Sequence, residues 1–272
     1  MPEKLLLAID IGNTNTVLGI YRGTTLLDHL RIESRRNSTV DEYSALVHML
    51  LHQRGFSFAD LDQAVIGSVV PPLTSVFEEV CRHGIGKAPV LVEPGKRTGM
   101  PLLVDNPREV GADRIVNAIA AYDRYKKACI VVDFGTATTF DVVNAKGQYL
   151  GGVIAPGIGI SADALFARAA KLPRVDIQRP AHVIGRTTVQ AIQSGLVFGY
   201  VSLVEGLVQR LNVELGEPTV VVATGGLASL IASETSCIHE VLEFLTLDGL
   251  RMLYDRNREE AEPVVVTRGG RA

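Results

Sequence analysis

A strand-turn-strand unit occurs twice in this chain, in register and nearly half its length apart. Leu5-Leu6-Leu7-Ala8-Ile9-Asp10-Ile11-Gly12-Asn13-Thr14 reads as a buried strand that ends in a carboxylate and enters a Gly turn of short polar residues. Cys129-Ile130-Val131-Val132-Asp133-Phe134-Gly135-Thr136-Ala137-Thr138 repeats that order, and Asp133 stands 123 positions after Asp10. The likeness continues: Val17 to Tyr21 followed by Arg22-Gly23 matches Phe140 to Val143 followed by Lys146-Gly147, each an apolar strand entering a tight turn. A unit that keeps register over this length implies duplicated topology. The expected fold class is α/β with two related lobes, 1–115 and 116–262, and a frayed tail at 263–272.

Composition permits this. The 272 residues are 47% hydrophobic and 21% charged, enough for a substantial core and far from the signature of disorder. Ala64 to Val70 and Thr219 to Ala223 read as further short strands, while Asp41 to Gln53, Asp113 to Lys127 and Thr188 to Glu214 carry helical spacing. Lys+Arg at 27 against Asp+Glu at 30 gives no general attraction to nucleic acid. The apolar run Leu5 to Ile9 is too short for a signal core or a membrane span, so a cytoplasmic protein without a membrane partner is expected. Cys81, Cys129 and Cys237 lack metal or redox spacing. His48 and His52 fall on a helix that Thr39 and Glu42 would cap, and read as a solvated face.

Paired Asp-x-Gly turns at strand ends suit ATP chemistry, because Gly backbone N–H groups and small hydroxyls admit phosphate oxygens without steric conflict. Asp10 could hold hydrated Mg²⁺, and Asn13, Thr14 and Thr16 could reach phosphate, with Thr136 doing so from the other lobe. One such Asp alone would more simply nucleate a turn; two in register argue for a site. Val220 to Thr224 running into Gly225-Gly226 offers close backbone approach to a flat base. Asp105 to Asn117 is a polar turn leading into a helix, where Asp113 could serve as a base and Arg114 could grip an anion, although an acid at a helix start is ordinary. Thr187-Thr188-Val189-Gln190 opens another helix, with one hydroxyl as cap and free N–H groups for a carboxylate.

Two other nucleotide patterns compete with this reading. No Gly-x-x-x-x-Gly-Lys-Ser/Thr loop occurs. Gly157-Ile158-Gly159-Ile160-Ser161-Ala162 matches the dinucleotide fingerprint and Asp176 follows at suitable spacing, but Pro156 interrupts the approach and Arg174 to Ile177 makes a thin buried strand.

Taken together, the Asp10 to Thr14 motif, Asp105-Asn106-Pro107-Arg108-Glu109-Val110-Gly111-Ala112-Asp113-Arg114, Asp133 to Thr136, Gly185-Arg186-Thr187-Thr188 and Gly225-Gly226 resemble the type III pantothenate kinases. These belong with acetate and sugar kinases, chaperone ATPases and actin, so the resemblance implies two ribonuclease H-like lobes in an actin-like ATPase fold. It implies ATP-dependent phosphorylation of pantothenate, the first step toward coenzyme A. By that resemblance Asp10, Ile11, Gly12, Asn13, Thr14, Asn15, Thr16 and Val17 hold ATP phosphates and Thr136 contacts ATP. Asp113 accepts the hydroxyl proton; Gly111, Ala112, Asp113, Arg114 and Thr188 hold pantothenate; Asp133 binds K⁺ or NH₄⁺. Val104 stands where the family commonly has Tyr, so an aromatic contact to pantothenate is lost there or supplied elsewhere.

Two other readings use the same lobes: a binding ATPase, which leaves the Asp113 motif unexplained, and a regulator, which lacks a helix-turn-helix signature for DNA. The helix from Thr188 carries an apolar stripe at Ile192, Leu196, Tyr200, Leu203, Leu207 and Leu211 beside small residues Gly195, Gly199, Ser202 and Gly206. Either both faces pack within one subunit or the small face meets a partner. With the resemblance, a homodimer is expected.

Overall fold

The computed structural model describes residues 5–92, 98–169 and 171–261, so the expected tail at 263–272 lies outside the described residues. In chain order the elements are β1 (Leu5–Ile11), β2 (Asn15–Arg22), β3 (Thr25–Glu33), α1 (Val40–Gln53), β4 (Leu61–Ser68), α2 (Pro71–Ile85), β5 (Val90–Leu91) and α3 (Ala112–Tyr125). They continue with β6 (Cys129–Phe134), β7 (Ala137–Val143), β8 (Tyr149–Pro156), α4 (Ile158–Arg168), α5 (Thr188–Leu215), β9 (Val220–Thr224), α6 (Ala228–Ala232), β10 (Glu240–Val241) and α7 (Leu245–Ala261).

The repeat read from sequence is a repeat of sheets. One sheet has the order β3-β2-β1-β4-β5, and the other, read from the matching edge, β8-β7-β6-β9-β10. In each, an antiparallel meander of three strands is followed by two parallel strands that need crossover helices. The two hairpins differ by one residue. Ile11 pairs with Thr16 across the first turn, whereas Phe134 pairs with Thr138 across the second.

Strand periodicity decides which way the aspartates point. Leu5, Leu7, Ile9 and Ile11 pack with α1 and α2 on the outer face of the first sheet, while Leu6 and Ala8 join the core between the sheets. Asp10 continues the inner series, because alternate strand residues share a face. The same logic holds for β6: Ile130, Val132 and Phe134 face the outer helices, Cys129 and Val131 the inner core, and Asp133 the same inner side.

Three layers of helix result. On the outside of the first sheet lie α1 and α2. Thr39 accepts from the Glu42 N–H at 3.3 Å, and Glu42 accepts from the Thr39 N–H at 2.6 Å, which completes the expected capping box of α1. On the outside of the second sheet lie α4, α5 and α6. Between the sheets run α3 and α7, whose buried residues Ile115, Val116, Ile119, Leu247, Leu250 and Leu253 seal the central core.

The long helix α5 differs from expectation in its rotation. Its sealed face passes through Ile192, Leu196, Val197, Val201, Val204 and Val208, whereas Tyr200, Leu203, Leu207 and Leu211 are only half-buried. Side chains added at Gly195, Gly199 or Gly206 would meet open space. By length and composition α5 could cross a membrane, but 50% of its most apolar window is buried against the protein.

Candidate active site

The first turn, at the end of β1, is closed by the Gly12 N–H donating to the Asn15 carbonyl at 3.0 Å, and the second, at the end of β6, by the Gly135 N–H donating to the Ala137 carbonyl at 3.1 Å. The turns meet. Thr14 Oγ1 and Thr136 Oγ1 lie 2.8 Å apart, and both residues are exposed. Asn13 and Thr14 line this junction, whereas Thr16 is buried on the outer face and spends its hydroxyl on Ser34 at 2.9 Å. Val17 lies beside Asp10 in β2, and Ile11 packs in the outer core.

Three carboxylates converge behind the turns. Asp10 is crowded by protein yet still reached by solvent, as at the floor of a cleft, and its carboxyl is pushed up to about 8 by loss of hydration and by the charges of Asp113 and Asp133. Burial, then Asp113 and Asp141, push Asp133 up to about 7. Such mutual repulsion is what a bound cation relieves, and carboxylate oxygens are the donors that Mg²⁺ and K⁺ prefer.

Asp113 comes from the start of α3. The 3₁₀ turn Pro107–Glu109 is fixed by Asn106, which accepts from the Arg108 N–H at 3.3 Å and donates to Glu109 at 2.6 Å. Gly111 is the N-cap, and a Cβ there would collide with the Asp113 carboxylate, which folds back over the helix start and accepts from the Arg114 N–H at 2.8 Å. Ala112 beside it is buried. The helix start does supply an N–H, yet burial has the larger effect and raises the Asp113 carboxyl above its ordinary range.

Arg114 is already engaged. Its Nε donates to Asp141 Oδ1 at 2.8 Å, and its Nη2 lies 2.7 Å from the same oxygen at an angle that leaves it without a hydrogen bond. Asp141 is fully buried on β7 and also accepts from the Tyr149 hydroxyl at 2.7 Å. Sequence reading did not single out Asp141 or Asn117. Asn117 is buried one turn after Asp113, donates to Asp133 Oδ2 at 3.1 Å and accepts from Thr246 at 2.8 Å. A buried amide in an otherwise apolar helix face was the available signal.

Gly225 also belongs to this cluster. It adopts φ 92°, and a Cβ on it would stand 2.7 Å from Asp133 Oδ1, so only Gly fits; Gly226 beside it faces open space. The fingerprint at Gly157 to Ala162 is a different structure from a dinucleotide turn. Its strand, β8, runs antiparallel to β7, and Gly157 packs on the carbonyls of Gly135 and Thr136. Val104 is half-buried near Gly151 on β8, and the segment before it is tied there by the Leu103 N–H donating to the Tyr149 carbonyl at 2.8 Å. Thr188 stands apart at the exposed start of α5, where Thr187 is the cap and accepts from the Gln190 N–H at 3.2 Å.

Known proteins fall into two tiers of likeness. Among solved structures, a protein of the Baf family of transcriptional activators from Campylobacter jejuni superposes with a TM-score of 0.62 at 18% identity, covering 93% of this chain and 99% of that one. The ethanolamine utilization protein EutJ from Carboxydothermus hydrogenoformans gives 0.54 at 16%, covering 93% and 91%. These share the fold. By sequence, the family model described as type III pantothenate kinase matches residues 6–210. The type III pantothenate kinases of Myxococcus xanthus (strain DK1622) and Moorella thermoacetica (strain ATCC 39073 / JCM 9320) are 58% and 53% identical, each over 93% of this chain and 99% and 100% of their own. With matches of that extent to proteins of nearly equal length, the chain belongs to the type III pantothenate kinase family.

Proposed function

We propose that the chain transfers the γ-phosphoryl group of ATP to the primary hydroxyl of pantothenate, giving 4′-phosphopantothenate at the first step of coenzyme A biosynthesis, with Asp113 as general base. The carrying observation is the convergence of Asp10, Asp113 and Asp133 behind two facing hydroxyl turns. Phosphoryl transfer needs positioning and charge stabilisation more than reactive side chains, and this site offers that.

In this reading the backbone and side chains from Asp10 to Val17 orient the triphosphate, Thr136 closes on it from the second lobe, and Gly225-Gly226 admits the base. A raised Asp113 pKa suits a group that must take a proton near neutral pH. Gly111, Ala112, Val104, Arg114 and Thr188 form the pantothenate side. Asp10 would hold Mg²⁺ through water and Asp133 a K⁺ or NH₄⁺ ion. When bound, these cations supply positive charge to the transferring phosphate.

A division into lobes at 1–115 and 116–262 is supported by a five-stranded sheet on each side, with α3 running across the boundary and α7 returning to pack on the first sheet. A homodimer through α5 fits the open face of Gly195, Gly199 and Gly206 and would bring the exposed Thr188 near a subunit contact. Work on ATP and a coenzyme A precursor fits the cytoplasm. The test is ADP release over a panel of small alcohols: formation that depends on pantothenate supports the kinase, and equal turnover without it marks a plain ATPase.

A further inference from the structure

The proposed nucleotide site is short of positive charge. Asp10, Asp113, Asp133 and Asp141 gather around it, Arg114 is held by Asp141, and Gly12 to Thr14 and Gly135-Thr136 contain no Lys or Arg. The terminal phosphates of a nucleotide add several negative charges that hydrated Mg²⁺ offsets only in part.

Sheet register locates a source of cations. Asp10 pairs with Val17, and Val17 pairs with Arg31, so Arg31 shares the inner face with Asp10. Two strand spacings put their backbones about 10 Å apart, with Val17 between them on the same face. Arg31 is exposed, has no carboxylate partner among the described residues, and its charge opposes the rise in the Asp10 pKa, so the two groups sense one another. Just after β3, Arg36 Nη2 donates to Asn13 Oδ1 in the first turn at 2.9 Å. This segment is fastened to the turn independently: the Ser34 N–H donates to the Thr14 carbonyl at 3.0 Å, and the Ser34 hydroxyl meets Thr16 Oγ1 at 2.9 Å. Neighbouring Arg35 is occupied by Glu33 at 2.8 Å.

We infer that Arg31 and Arg36 bind the terminal phosphates of the nucleotide, Arg31 from the sheet face and Arg36 from the rim of the first turn, where it exchanges Asn13 for a phosphate oxygen. The inference rests on the cleft being the nucleotide site. A planar guanidinium suits this task because it can grip two phosphate oxygens at once, whereas Lys supplies only a point charge.

Steady-state kinetics and Mg·ATP calorimetry on the full chain test it. Arg31→Ala and Arg36→Ala should each raise KM for ATP by about 10-fold or more, the scale of a lost charge-assisted hydrogen bond, with KM for pantothenate within about 2-fold of the starting value. Arg36→Lys should recover part of the loss, and ATP binding by the double variant should depend less on salt. If both single variants keep KM for ATP within about 2-fold while the unaltered chain binds ATP normally, this inference alone is overturned. A parallel rise in both KM values would also overturn it, because the arginines would then support structure. If the unaltered chain binds no ATP, the nucleotide reading fails and takes this inference with it.

Discussion

Thr14 and Thr136, 122 positions apart in sequence, bring their hydroxyls within 2.8 Å of each other at the mouth of the cleft. Each belongs to one copy of the duplicated turn, Thr14 four positions after Asp10 and Thr136 three after Asp133, so the contact joins the two halves of the repeat. Exposed hydroxyls that bond each other can turn the same donors toward a third group placed between them. Replacing either by Val should lower kcat/KM for ATP by about 5- to 10-fold, the scale of one hydrogen bond. The double variant should lose less than the product of the two single losses. A product equal to the two single effects would mean that the hydroxyls act on separate groups.

Asp113→Asn should reduce kcat by about 10²-fold or more with the fold retained, as loss of a general base does. The unaltered enzyme should lose kcat as pH falls through the Asp113 pKa, because a protonated carboxyl cannot take a proton. Burial places that acid limb above the ordinary carboxylate range. A near-normal kcat in the variant would return Asp113 to the role of a helix-start acid.

Asp133 makes the ion-free protein sensitive to pH in a fixed direction. Its carboxyl rises from 3.8 to about 7 on folding, so the folded state holds the proton more tightly than the unfolded chain. The resulting stability is complete below the unfolded value and is lost as pH rises through about 7, by up to about 1.4 kcal/mol per pH unit. Melting temperature should therefore fall from about pH 5.5 to about pH 8 in the absence of K⁺ and Mg²⁺, and Asp133→Asn should flatten the slope in part, since Asp10 and Asp141 are raised in the same sense. Added K⁺ should stabilise more at the higher pH. Identical slopes for the variant and the unaltered chain would remove Asp133 from this account.

Light scattering at micromolar concentration should give about twice the 29.3 kDa chain mass. Gly199→Leu would place a large side chain on a face that is open within one subunit. It should shift the protein to monomer and weaken pantothenate binding while the melting temperature stays close to that of the unaltered chain. A dimer that survives the change would place the interface elsewhere.

Much of this architecture was legible because it rests on local pattern. Unbroken apolar runs at Leu5 to Ile9 and Cys129 to Val132, each closing on an Asp and a Gly turn, mark both strands, whereas the inward aim of Asp10 and Asp133 emerges only from how the sheets pack. Capping chemistry fixed the start of α1 at Thr39. The rotation of α5 was less legible, since apolar residues lie almost all around it and only contact with the second sheet chooses Val197, Val201, Val204 and Val208. Asp141 and Asn117 escaped for a related reason. Each is a polar residue inside an apolar element, and its meaning depends on partners 27 and 16 positions away. The same holds for α7, where Thr246 and Gly249 weaken the local helical signal while tertiary burial of Leu247, Leu250 and Leu253 supplies the stability.

That last helix has a consequence for synthesis. The inner face of the first sheet is covered by α7, made more than 150 residues after β5, as well as by α3. A growing polypeptide thus emerges with strands β1, β2 and β4 able to pair but without the element that shields Ala8, Tyr21 and Val65. The N-terminal half must wait, partly unshielded, until the residues from Leu245 to Leu253 have been made. A chain stopped before Leu245 should accordingly be cut by protease within the first lobe as readily as within the second. Protection of the first lobe in that truncated chain would show that it closes without waiting for α7.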